Sequence, residues 1–171
     1  MQNVHSVAFI GLGSNLDNPE KQLNTAIDYL KLEKNIIVLK QSSFYGTKPY
    51  GYLDQNDFLN AVIQIQTSYD CWELLKTLQS IEQKQKRLKT WRWGPRVIDL
   101  DILCYDNLVL ETPELCIPHP GIKLRDFVLQ PWTEIAPDWV LPDGSVVEEL
   151  YRDLISEQLY PPLTRGGAET Q

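Results

Sequence analysis

Sulfur and histidine are scarce in this sequence: 171 residues include three cysteines, one methionine and two histidines. Cys71, Cys104 and Cys116 are odd in number and form no Cys-x-x-Cys pair, which argues against a disulfide framework and against a zinc site. A reducing compartment fits. Positive charge is also in short supply, 16 basic residues against 23 acidic ones, and a net charge of −7 removes the broad basic face that nucleic-acid backbones require. No apolar run approaches the roughly 18 residues of a membrane span. The opening Met1-Gln2-Asn3-Val4-His5 lacks a basic segment followed by an apolar one, so no secretory signal is expected and the cytoplasm is the expected location. The glycines at 11 and 13 follow neither the Gly-x-x-x-x-Gly-Lys-Ser/Thr nor the Gly-x-Gly-x-x-Gly spacing of the common phosphate loops. What remains is a chain of 43% hydrophobic composition, enough for the core of one compact domain, without internal repeats.

The most informative stretch is Arg92-Trp93-Gly94-Pro95-Arg96-Val97-Ile98-Asp99-Leu100-Asp101-Ile102-Leu103. Val97 to Tyr105 reads as a buried strand, and a side-chain period of two puts Asp99 and Asp101 on one face and Ile98, Leu100 and Ile102 on the other. Two carboxylates about 7 Å apart at Cα level repel each other unless a cation lies between them. Oxygen ligands on one rigid face suit Mg²⁺ better than zinc or copper. Lys84, Lys86, Arg87, Lys89, Arg92 and Arg96 place six of the 16 basic residues within 13 positions just upstream. In an acidic chain, that concentration beside a carboxylate pair points to a local phosphate pocket.

The remaining pattern predicts the frame around this strand. Val7–Leu12 reads as a first strand ended by Gly13-Ser14-Asn15. Asp17 or Asn18 can cap a helix with Pro19 in its first turn and Leu23, Ala26, Ile27 and Leu30 on one face. Ile36 to Tyr45 and Phe58 to Thr67 read as two further strands, the latter turning Leu59, Ala61, Ile63 and Ile65 to the core and Phe58, Asn60, Val62, Gln64 and Gln66 away from it. An aromatic and an amide two residues apart can stack on a flat heterocycle and hydrogen-bond its edge. Asp70 and Glu73 form a capping-box start for a second helix with the stripe Leu74, Leu75, Leu78, Ile81 and Leu88. Asp106-Asn107 makes a turn before a short strand at 108–110, and 141–156 a turn and closing helix. This order predicts an α+β ferredoxin-like sandwich, an antiparallel sheet with helices packed against it, in a single domain.

Four separated motifs in the right order resemble the 6-hydroxymethyl-7,8-dihydropterin pyrophosphokinase family. They are Ile10-Gly11-Leu12-Gly13-Ser14-Asn15-Leu16, the segment Ser43 to Asn60, the stretch from Gln79 through Asp101 to Leu103, and Pro118-His119 with Arg125 to Leu129. The resemblance spans residues 7 to about 140 and implies the same fold. It also implies transfer of pyrophosphate from ATP to a pterin alcohol in folate synthesis, with AMP released. It assigns Gly13, Thr47, Pro49, Tyr50, Phe58, Asn60 and Phe127 to the pterin, with Phe58 and Phe127 as two aromatic plates. Gln79, Glu82, Lys89, Trp93, Arg96, Ile102, His119 and Arg125 fall to the nucleotide. Asp99 and Asp101 become ligands for two Mg²⁺ ions, and Arg87 and Arg96 join them as catalytic residues. Lys89 stands where an arginine is also common, and Glu114 takes no role. A domain over 1–160, a frayed tail over 161–171, a monomer, and no nucleic-acid or membrane partner complete the expectation. Two other classes remain open on the residues alone: a metal-dependent nuclease using the same Asp-x-Asp, disfavoured by the net charge, and a nucleotide-binding module without catalysis.

Overall fold

The computed structural model describes residues 5–15, 18–47, 58–87 and 98–159, without the side chains of Thr47, Arg87, Gln158 and Leu159. Strand β1 (Ser6–Ser14) leads into helix α1 (Pro19–Leu32), then β2 (Ile36–Gln41), β3 (Tyr45–Thr47) and β4 (Phe58–Thr67). Helix α2 (Cys71–Arg87) and β5 (Asp99–Tyr105) complete the sheet, followed by short strands β6 (Leu110–Glu111) and β7 (Cys116–Ile117). A turn of 3-10 helix (Ile122–Leu124) and helices α3 (Asp126–Ile135) and α4 (Val147–Leu159) close the described chain. The main sheet runs β2-β4-β1-β5 with every pairing antiparallel, and β3 continues along the β4 edge. This is the ferredoxin-like order expected.

Local chemistry explains most boundaries. Asn18 caps α1 from the left-handed region (φ 55°), its Oδ1 accepting from the Lys21 N–H at 3.3 Å, and Leu23, Ala26, Ile27 and Leu30 are all buried. The capping box of α2 is reciprocal: the Asp70 N–H donates to Glu73 Oε1 at 2.9 Å and the Glu73 N–H to Asp70 Oδ1 at 2.8 Å. Leu74, Leu78 and Ile81 are buried as the stripe requires, while Leu88 lies outside the described residues. Gln85 is buried too, its amide donating to the Gln22 carbonyl at 3.0 Å and tying α2 to α1.

Five expectations need correction. The expected turn at Gly13-Ser14 is strand, because both residues pair with β4 and Gly13 also pairs with β5. The expected strand from Ile36 to Tyr45 is two strands, broken where the Ser42 Oγ accepts the Val62 N–H at 3.0 Å and donates to the Ser43 carbonyl at 2.8 Å. The short strand expected at 108–110 is instead Leu110–Glu111 paired with Cys116–Ile117. Finally, the face of β4 expected to turn away from the core carries fully buried Val62 and buried Asn60, because a second core with α3 and α4 covers it there. No helix was expected over 126–135, where Pro131 cannot donate to the Phe127 carbonyl, yet the segment is helical and buries Val128, Leu129, Trp132 and Ile135.

The sheet therefore separates two cores. Ala8, Ile10, Leu12, Ala61, Ile63, Ile65, Leu100 and Ile102 pack against α1 and α2. Phe9, Val62, Leu103 and Cys104 pack against α3 and α4. A β-bulge lets Leu103 and Cys104 enter the same core: Phe9 pairs with Cys104 and Ile10 with Ile102, so Leu103 is the extra residue. At the centre of the second core the Phe9 and Trp132 rings lie 5.1 Å apart. At its margin Glu134 joins α3 to the β2–β3 junction, accepting from the Ser43 N–H at 2.9 Å, the Ser43 hydroxyl at 3.0 Å and the Tyr45 hydroxyl at 2.6 Å. That bond pushes the Tyr45 phenol up to about 12, keeping it a donor across the ordinary range.

Trp132→Ala is expected to cost about 3–5 kcal/mol of unfolding free energy in urea titrations, through lost burial and an unfilled cavity. Glu134 gives an acid-limb test. Burial raises its carboxyl, but the Tyr45 and Ser43 bonds outweigh this and hold it below its ordinary 4.5. Its contribution is present above the unfolded pKa and lost as pH falls through the lower folded one, so wild-type stability should drop more steeply on acidification than that of Glu134→Gln. Equal slopes in pH-dependent denaturation would contradict this.

Candidate active site

The site grows from one cross-strand row. Gly13 on β1 faces Asn60 on β4 on one side and Asp99 on β5 on the other, and Tyr45 on β3 faces Asn60 from the far side. Two residues along, Gly11 lies between Val62 and Asp101. Both glycines are needed where they stand: a Cβ on Gly13 would fall 2.9 Å from Asn60 Oδ1, and one on Gly11 would fall 3.3 Å from a Leu103 methyl. With no side chains rising from the middle strand, the row becomes the floor of a cavity of about 670 Å³. Phe58 stands at the start of β4, and Arg125, Asp126, Phe127 and Val128 enter from the start of α3.

Seven of the expected site residues thus line one cavity: Gly13, Phe58, Asn60, Asp99, Asp101, Arg125 and Phe127. Asp99 and Asp101 are half-buried on the cavity side of β5, while Ile98, Leu100 and Ile102 are buried on the other side. Ile102 is consequently in the first core and contributes no side chain to the cavity. Glu82 reaches β5 from α2, its Oε2 accepting the Leu100 N–H at 2.8 Å, so it grips the backbone between the two aspartates. Gln79 is exposed on α2. His119 anchors beside β5 through its N–H, which donates to the Leu103 carbonyl at 3.0 Å. Burial pushes its imidazole below the ordinary 6.5, Asp101 opposing that shift and Arg125 adding to it. Its side chain lines a second cavity of about 480 Å³ rather than the first.

Pro49, Tyr50, Lys89, Trp93 and Arg96 lie outside the described residues, as do all of 48–57 and 88–97. Thr47 ends β3 opposite Phe58 and Arg87 ends α2, both known by backbone only. Gly11 lines the cavity as a member of the amino-terminal motif, whereas Leu103 and Asp126 line it without having been foreseen as contacts. Gly11 carried a signal, since it shares the period-two face of Gly13. Asp126 carried only its place between Arg125 and Phe127, and Leu103 depends on the bulge, which no local pattern announces.

Chemically, the cavity offers two aromatic rings, a buried amide, a carboxylate pair and a guanidinium in one space. Among the described residues no three His, Cys, Asp or Glu side chains cluster as a complete metal cage. The donor set, two carboxylates on one strand face, fits a hard divalent cation. Nor is any helix among the described residues long and apolar enough to cross a membrane.

Comparison with known proteins agrees with this geometry. Residues 9–137 match the family model of 7,8-dihydro-6-hydroxymethylpterin-pyrophosphokinase. The 2-amino-4-hydroxy-6-hydroxymethyldihydropteridine pyrophosphokinase of Haemophilus influenzae is 41% identical over 152 residues, covering 89% of this chain and 95% of that protein. The protein of the same name from Bacillus subtilis is 43% identical over 132 residues, covering 77% and 79% respectively. Among solved structures, wild-type Plasmodium falciparum HPPK-DHPS superposes with a TM-score of 0.72 at 16% identity, so that likeness speaks to the fold. The alignment covers 94% of this chain but 47% of that longer one. The four sequence motifs, the sheet order and these matches converge: the chain belongs to the 7,8-dihydro-6-hydroxymethylpterin-pyrophosphokinase family.

Proposed function

We propose that this chain transfers pyrophosphate from ATP to 6-hydroxymethyl-7,8-dihydropterin, with AMP as the leaving group. The observation that carries the reading is the single cavity in which the Asn60–Gly13–Asp99 row lies with Phe58, Phe127, Asp101 and Arg125. Phe58 and Phe127 hold the flat pterin by stacking, and the Asn60 amide hydrogen-bonds its polar edge. The glycine floor lets the ring approach the backbone of β1. Held there, the hydroxymethyl oxygen faces the Asp99–Asp101 side, where the β-phosphorus of ATP must arrive for in-line displacement.

Asp99 and Asp101 would hold Mg²⁺, two ions by the family resemblance, which neutralises phosphate charge and polarises the reacting phosphorus. Arg125 binds phosphate oxygens, and Arg87 and Arg96 fall to the same task. The neutral His119 donates a hydrogen bond to the nucleotide, and Gln79, Lys89, Trp93 and the Ile102 backbone complete its site. Thr47, Pro49 and Tyr50 fall to the pterin side. Glu82 acts through β5, fixing the backbone from which both aspartates project. Most of the rate comes from positioning and electrostatics rather than covalent chemistry. The chain works as a monomeric domain over residues 1–160 in the cytoplasm, with 161–171 as a tail.

In an assay of AMP release from MgATP, Asp99→Ala should retain its fold by circular dichroism and lose about 10²-fold or more of the pterin-dependent rate. Turnover indifferent to this change, or to pterin, would defeat the proposal. Phe127→Ala should raise KM for the pterin about tenfold, for the loss of one stacking plate, while KM for ATP stays near wild type. Equal effects on both substrates in steady-state kinetics would place Phe127 elsewhere.

A further inference from the structure

We infer that Gly121 is a positioning residue that seats Arg125 and orients His119, and so sets the phosphate-binding end of the site. The inference rests on the reading of Arg125 and His119 given above. Two separate contacts carry it. The first is a seat defined by a missing side chain. A Cβ placed on Gly121 would lie 2.8 Å from Arg125 Nε, 3.1 Å from Cζ and 3.3 Å from Nη2, so the guanidinium packs directly on this backbone. The Arg125 Cζ also lies 5.7 Å from the centre of the Phe127 ring. An arginine held by contact with a glycine and with an aromatic ring loses less rotamer freedom when it binds an anion.

The second contact is the Gly121 N–H, which donates to His119 Nδ1 at 3.2 Å. With Nδ1 an acceptor, the ring proton of neutral His119 sits on Nε2, which is then the nitrogen left to donate. One residue therefore contacts two donors, one before and one after the 3-10 turn.

The surrounding backbone is wound tightly enough for the seat to matter. The Ile122 N–H donates to the His119 carbonyl at 3.3 Å, the Leu124 N–H to the Gly121 carbonyl at 3.2 Å, and the Arg125 N–H to the Ile122 carbonyl at 3.2 Å. Any side chain at 121 would thus be accommodated by displacing the arginine, the far end of a flexible group, rather than by moving the loop. Gly121 itself has φ −95° and ψ 6°, a conformation open to any L-residue. Its glycine is thus not required by the backbone, and the need for it comes from Arg125.

That separation makes the test clean. Gly121→Ala should leave the melting temperature unchanged or slightly raised, since alanine fits this backbone and restricts the unfolded chain. It should lower kcat/KM for ATP about tenfold to a hundredfold, as expected for a catalytic-site group displaced by about 1 Å. In the Arg125→Ala background the same substitution should lower kcat/KM by much less, because the seat then has no occupant. Wild-type kinetics in Gly121→Ala, or a loss that multiplies fully with that of Arg125→Ala, would overturn the inference. Failure of the underlying reading looks different: Arg125→Ala alone would then turn over ATP and pterin at the wild-type rate. Nitrogen chemical shifts of His119 supply an independent readout, with Nδ1 as the unprotonated nitrogen in the wild type. A wild-type spectrum with the proton on Nδ1 would also overturn the inference.

Discussion

Strand β1 is hydrogen-bonded along both edges, to β4 over nine residue pairs and to β5 around a bulge, and nearly everything else in the site hangs from those two ladders. The pairing puts the amide of Asn60 and the carboxylate of Asp99 at fixed spacing across Gly13, and Val62 and Asp101 across Gly11. Because the side-chain period of a strand is two, a slip of one residue would turn both aspartates into the core and expose Leu100 and Ile102. The buried aliphatics of β5 therefore enforce the register that presents the charges. Stability and chemistry are coupled through one alternation.

The second constraint is that the sheet is covered on both faces, but unevenly. Helices α1 and α2 seal one face along its length, whereas α3 and α4 seal the other only where Phe9, Val62, Leu103 and Cys104 lie. Beyond Val62, two glycines leave a depression that α3 overhangs with its first residues. The cavity is thus the place where the second core runs out. Phe127 belongs to both regions, packed at the edge of that core and lining the cavity. Glu134, near the opposite end of α3, fixes the same helix to Ser43 and Tyr45, and Tyr45 lies across from Asn60. The two walls of the cavity are therefore held to one another by a contact outside it.

Polar groups in this arrangement also act on backbone. Glu82, which the sequence motif associates with the nucleotide, accepts the Leu100 N–H and holds the strand between the aspartates. Gln85 performs a comparable task between α1 and α2 through the Gln22 carbonyl. Such groups are expensive to bury without a partner, and each here bonds to a main-chain atom.

Periodicity and capping chemistry by themselves determined much of this protein. The α1 and α2 helices, the β4 strand, the two-faced β5 strand and the cavity-facing side of Asp99 and Asp101 were all legible, because each depends on residues within a few positions of one another. The spacing of the four motifs was enough to indicate the family. What only the tertiary structure decided depends on contacts between distant segments. Gly13 is strand rather than turn because β4 and β5 pair with it, and Leu103 reaches the second core because a bulge adds one residue opposite β1. Asn60 and Val62, on the face of β4 expected to turn away from the core, are buried because α3, a helix containing Pro131, lies across it. Gly121 looks like any loop glycine in the sequence. Its meaning appears only when Arg125, four residues later, folds back onto it across a turn of 3-10 helix.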